Sequence, residues 1–190
     1  MRLRRLIAIV VIFLGIAQSA WGMMVLPLDL SQMSRQAGRI FVARCHGVET
    51  DLDENGIPAT FVRLTVLDGI KGVETGDELL VKEFGDSRGI PPVAEGQSAI
   101  VPMKGMSLVS GSYRPGSEYL LFLYPESSLG FTSPIGAGQG RFEVSEGGPA
   151  GVVGLKTVVN PLGNRFLRAL GNGPVDLETM VNKVKGLVGR

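Results

Sequence analysis

The chain has 190 residues, 44% of them hydrophobic, enough for one domain with a sizeable core. Its formal net charge is +1, but Arg2, Arg4 and Arg5 all stand in the first few residues, and the remainder carries 16 basic against 18 acidic side chains. That balance excludes the clustered basic surface a nucleic-acid binder needs, and a single cysteine, Cys45, excludes an intramolecular disulfide framework.

Residues 1–22 read as a secretory signal peptide: three arginines precede an apolar run from Leu6 to Ala17, and small residues follow at Ala20 and Gly22. The alternative is an uncleaved anchor, since the apolar stretch approaches the roughly 20 residues a span requires. Either way residues 23–190, read as a single domain, are expected outside the inner membrane, secreted or periplasmic, with membrane attachment only if the leader is uncleaved.

The first helix is expected in "PLDLSQMSRQAG", residues 27–38, with Asp29 or Ser31 as N-cap and Gly38 as the stop. Gly and Pro make up about a fifth of the chain and punctuate short apolar runs, which is the pattern of strands and turns. The expected strands are 39–48, 60–70, 77–85, 118–124, 140–146 and 154–160. An antiparallel meander or small barrel follows from them. The closing helix, 175–188, has Asp176 as N-cap and an apolar stripe of Leu177, Met180, Val181, Val184, Leu187 and Val188.

Between the third and fourth strands, the long loop 86–117 contains Pro91, Pro92 and Pro102 and no sustained period. Loops beyond about 12–15 residues are uncommon unless they are functional or disordered. The segment reads either as a binding surface or as a covering flap.

"DLDENGIPAT", residues 51–60, begins like a calcium loop, with Asp51, Asp53 and Asn55 alternating ahead of Gly56. An EF-hand requires a bidentate Glu at its twelfth position, where this chain has Val62. Strands are expected on both sides, and Asn55-Gly56 is a strong signal for a two-residue hairpin. Two readings stand: an acidic, solvated hairpin tip, or a weak calcium site formed by Asp51, Asp53 and Asn55.

Other motifs offer less chemistry. "GDSRG", residues 85–89, imitates a nucleophile elbow around Ser87, but Pro91 and Pro92 forbid the helix that must follow. Cys45 and His46 are adjacent on a strand and so face opposite sides, which separates a core thiol from a rim imidazole. The glycines of "GAGQG", residues 136–140, read as a turn into a strand. No catalytic constellation emerges, and the chain is expected not to be an enzyme and to need no cofactor.

The order of the pieces resembles bacterial exported proteins similar to netrin-module and tissue-inhibitor-of-metalloproteinase OB-fold domains. The resemblance rests on Val66, Leu67, Lys71 and Gly72; on Gly76 and Asp77; on Gly116, Glu118, Tyr119 and Leu121; and on Gln139, Gly140 and Phe142. It implies a mainly β, OB-like Greek-key barrel framed by a short N-terminal helix and a C-terminal amphipathic helix. It further implies binding to an exported protein, with a protease as the partner class, and no catalysis. The runner-up is a structural or calcium-dependent surface module using the Asp51–Asn55 turn. The animal inhibitors chelate zinc through an amino-terminal cysteine that has no counterpart here, so no inhibitory residue carries over.

Overall fold

The computed structural model describes residues 28–85, 113–146, 156–159 and 175–189. Helix α1 (Leu30–Gln36) leads into three strands, β1 (Arg39–Leu52), β2 (Pro58–Lys71) and β3 (Glu78–Phe84). There follow β4 (Glu118–Leu123), β5 (Phe131–Thr132), β6 (Arg141–Glu146), β7 (Lys156–Val159), β8 (Val175–Asp176) and helix α2 (Leu177–Val188). The leader 1–22 and loop residues 86–112 lie outside the described residues. Among those described, no helix is long and apolar enough to cross a membrane.

The strands form one mixed sheet in the order β5-β3-β2-β1-β4-β6-β7-β8. All ladders are antiparallel except β3–β5, which is parallel at Lys82↔Phe131 and Glu83↔Thr132. The long β1–β2 hairpin carries three register irregularities, and such bulges bend a strand and increase its twist. The expectation of a mainly β chain framed by two helices is met, but the sheet is open, with β5 and β8 at its ends. Beyond the ladders, an isolated antiparallel bridge joins Leu123 to Pro134, next to the Tyr124 amide that donates to the Ser133 carbonyl.

Alternation along β1 and β4 distributes the core between two faces. Ile40, Val42, Leu120 and Phe122 pack with Met33 of α1 and with Met180, Val181 and Val184 of α2. Phe41, Ala43, Cys45, Tyr119, Leu121 and Leu123 form the opposite cluster with Val62, Leu64 and Val81. A strand buried on both faces must be apolar at nearly every position, and all six residues of β4 are buried.

Both helices start where their caps dictate. The Asp29 carboxylate accepts from the Gln32 amide at 2.7 Å, and the Gln32 side chain accepts from the Asp29 amide, a reciprocal capping box. Asp176 accepts from the Thr179 amide at 2.8 Å and so delays α2 until Leu177, while Val175–Asp176 join the sheet as β8. The expected stripe of α2 is correct for Met180, Val181 and Val184, which are buried, but not for Leu187, which is 43% exposed. Val188, one residue further on, still packs against the core, so Leu187 is turned away from it on the outward side of the helix. Strands β5 and β8 are two residues each, too short to leave a periodic signal.

Candidate functional site

Strand β3 reads Glu78-Leu79-Leu80-Val81-Lys82-Glu83-Phe84, and its period of two sends unlike side chains to the two faces. Leu79 and Val81 join the inner cluster, and Glu83 shares their side. Leu80 and Phe84 point outward and remain 55% and 54% exposed. Register carries this outer face across the sheet: Arg63 lies opposite Leu80, Phe61 opposite Lys82, and Ala59 opposite Phe84. Continuing to β1, Glu49 lies opposite Phe61 and Asp51 opposite Ala59. The Phe131 ring of β5 meets Phe84 edge-on at a centroid separation of 6.1 Å, extending the apolar surface around the sheet edge.

Lys82 sits beneath this surface. Its ammonium lies 2.8 Å from Oδ2 of Asp53 and 3.1 Å from Oε1 of Glu54, donates to the Leu129 carbonyl at 3.0 Å, and rests 4.4 Å from the Phe131 ring centroid. The Asp53 side chain is fully buried, whereas that of Glu54 is 71% exposed. Burial pushes the Asp53 carboxyl up, but Lys82 and the Ile57 and Asn55 amides outweigh it and hold the group at about 2. The hydrogen bond that Lys82 donates to Asp53 likewise raises its ammonium above the ordinary value, against the effect of desolvation.

This network redefines the tip of the β1–β2 hairpin. Oδ1 of Asp53 accepts from the Asn55 amide at 2.9 Å and from the Ile57 amide at 2.8 Å, and the Asp53 carbonyl accepts from the Gly56 amide. The result is a five-residue loop from Asp53 to Ile57, not the two-residue turn that Asn55-Gly56 suggests. A type I′ turn needs positive φ at both residues; here Gly56 has φ +74° and Asn55 does not share it. The carboxylate of Asp53 stabilises the wider loop instead.

The three residues expected to hold calcium are therefore placed unequally. Asp53 and Asn55 touch through a 3.4 Å side-chain hydrogen bond, while Asp51 is exposed and accepts from the neighbouring Leu52 amide. Lys82 occupies the position beside Asp53 where a cation would compete. Among the described residues, no group of three or more His, Cys, Asp or Glu is placed to hold a metal. Cys45 is buried and its thiol is pushed up by burial, whereas His46 is exposed and hydrogen-bonded to the Thr65 hydroxyl at 2.7 Å. The separation expected of adjacent strand residues is thus present. Ser87 lies outside the described residues.

A second polar group fills the inner face. Glu83, 3% exposed, accepts a 2.7 Å hydrogen bond from the Tyr113 hydroxyl; Tyr113 stacks edge-on with Tyr119 and lies beneath the Arg141 guanidinium, 5.1 Å from the ring centroid. Burial pushes the Glu83 carboxyl up to about 7, although Tyr113 and Arg141 pull it downward. On the helix-covered side, a cleft of about 560 Å³ runs along α2 from Leu177 to Lys185 and faces β1, β2, β4 and β7. Ion pairs bound it, Lys185 with Asp68 and Lys156 with Glu118, so its charges largely satisfy one another.

Sequence reasoning did not single out Lys82, Glu83, Leu80 or Phe84. The signal was the alternation of β3, which puts Glu83 on the side of Val81 and Lys82 on the side of Leu80. Compared with known protein families, curated proteins and solved structures, the chain matches none.

Proposed function

We propose that this chain is an exported, non-catalytic binding protein, secreted or periplasmic, whose partner is another exported protein; the family resemblance adds a protease as the partner class. The observation that carries the reading is the outer face of β3, where Leu80 and Phe84 are each more than half exposed and Phe131 continues the surface. Large apolar side chains gathered on one face are what protein-binding surfaces present, and burying one stabilises a complex by roughly 1.5–3 kcal/mol.

Strands β1–β5 belong, in the same proposal, to an OB-like Greek-key barrel. Three features support it: β1 runs between β2 and β4, β3 and β5 pair in parallel, and the chain beyond β5 bridges back to β4 at Leu123 and Pro134. Barrels of this kind bind ligands on the face of their second and third strands and through adjoining loops. Leu80 and Phe84 occupy that face.

Co-purification tests the function. Tagged wild-type protein and a Leu80→Ser/Phe84→Ser variant are recovered from the periplasm and culture fluid of the producing cells, and any co-purifying protein is identified and recombined in pure form. The expected result is one exported protein that rebinds the wild type and not the variant. Recovery of the protein alone from both compartments, or a partner bound equally by the variant, overturns the reading.

A further inference from the structure

The charges around the apolar surface of β3 specify the partner more closely. On the outer face, Glu49, Asp51 and Glu78 are exposed on β1 and β3, and register places two basic side chains among them: Arg63, opposite Leu80, and Arg44, in the row of Thr65 and Glu78, which is already paired with Glu118 at 2.7 Å. Arg63 already pairs with Glu49 at 3.1 Å. Lys82 adds no accessible positive charge, because it is buried against Asp53, Glu54 and the Leu129 carbonyl. Among the described residues, Asp51 and Glu78 have no ion-pair partner, so an apolar centre formed by Leu80, Phe84 and Phe131 is flanked by two unpaired carboxylates, Asp51 toward the hairpin tip and Glu78 at the opposite end of β3.

We infer that the outer face of β2 and β3 docks a protein segment that presents one or two large apolar side chains flanked by lysines or arginines. This inference rests on the binding function proposed above and adds the chemistry of the partner. The apolar anchors fill the surface between Leu80 and Phe84, and the basic flanks meet Asp51 and Glu78. Complementary charges at the rim steer encounter and reject acidic competitors, while the desolvated anchors supply most of the affinity. The acidic hairpin tip thereby acquires a role as a selectivity rim.

The test is selection of peptides from a phage-displayed random library on the full-length protein, followed by fluorescence polarisation with the synthetic peptides. The selected sequences are expected to combine an aromatic or large aliphatic residue with flanking Lys or Arg. Leu80→Ser is expected to weaken their binding about tenfold or more. The double variant Asp51→Lys/Glu78→Lys, at exposed positions and with an unchanged melting temperature, is expected to weaken it about tenfold at low salt and much less at high salt. Peptides without basic residues, or indifferent to the charge reversal yet sensitive to Leu80→Ser, overturn the basic partner and leave the binding function standing. Peptides indifferent to Leu80→Ser and Phe84→Ser, or no selected peptide, overturn both.

Discussion

The Tyr113 hydroxyl donates a 2.7 Å hydrogen bond to Oε1 of Glu83 on the inner face of the sheet, at a carboxyl that is 3% exposed. Burial raises that group from 4.5 to about 7 in the folded protein. Across this window the folded state keeps a proton that the unfolded chain releases, so the contribution of Glu83 to stability is complete below about 4.5 and is lost as pH rises through 7. The span corresponds to about 3 kcal/mol. Urea melts at pH 5 and pH 8 are expected to show wild type weakening over this range, and Glu83→Gln, which retains an acceptor for Tyr113, showing a much smaller change. An equal pH dependence in both proteins contradicts this account.

Asp53 acts in the opposite sense. Its carboxyl is held at about 2 in the folded protein, below its ordinary 3.8, so its contribution is present above about 4 and is lost as pH falls toward 2. Asp53→Asn removes the charge that holds Lys82 and is expected to lower the melting temperature at pH 7 by an amount on the order of 10 °C. At pH 2 the two proteins should converge. Circular dichroism melts over the acid range measure this directly, and a gap that persists unchanged at pH 2 would assign the loss to loop packing.

Calcium should leave the protein unchanged. Asp53 already faces an ammonium and two backbone amides, and Asp51 accepts from the amide beside it, so these residues do not converge on a common point. Melting midpoints in EDTA and in millimolar calcium are expected to coincide for wild type. A rise of several degrees with calcium, abolished by Asp51→Asn, would restore the metal reading of the hairpin tip.

How legible the fold was depends on the range of the interaction that decides each element. Asp29 and Asp176 cap their helices through amides three residues away, and the strand alternation of Phe41, Ala43 and Cys45 is equally local. Such features are readable from the chain. The partnership of Asp53 with Lys82, or of Glu83 with Tyr113, joins residues about 30 positions apart and depends on which strands become neighbours. Acidic turn residues are ordinarily solvated or gathered round a cation, yet Lys82 draws Asp53 into the interior. The outer apolar face is hidden in the sequence for a related reason: Leu80 and Phe84 look like core residues until both faces of β3 are assigned.

Two glycines separate local from long-range reasons for one residue type. Gly56 adopts φ +74° at the hairpin tip, and a Cβ there would meet nothing within 4 Å. Its requirement is backbone conformation alone, so Gly56→Ala should cost about 1–2 kcal/mol and Gly56→Asn, which tolerates the left-handed region, distinctly less. Gly140 has no such φ, but a Cβ would stand 2.7 Å from the Phe122 carbonyl oxygen and 2.9 Å from the Ile135 amide nitrogen. Both are backbone atoms tied into the strand pairing, since Gly140 also accepts from the Phe122 amide. Gly140→Ala is therefore expected to cost on the order of 3 kcal/mol, with Gly140→Asn worse than Ala. Chemical denaturation of the four variants measures the contrast, and a Gly140→Asn protein as stable as Gly140→Ala would mean that the β4–β6 region yields where tight backbone packing requires it to hold.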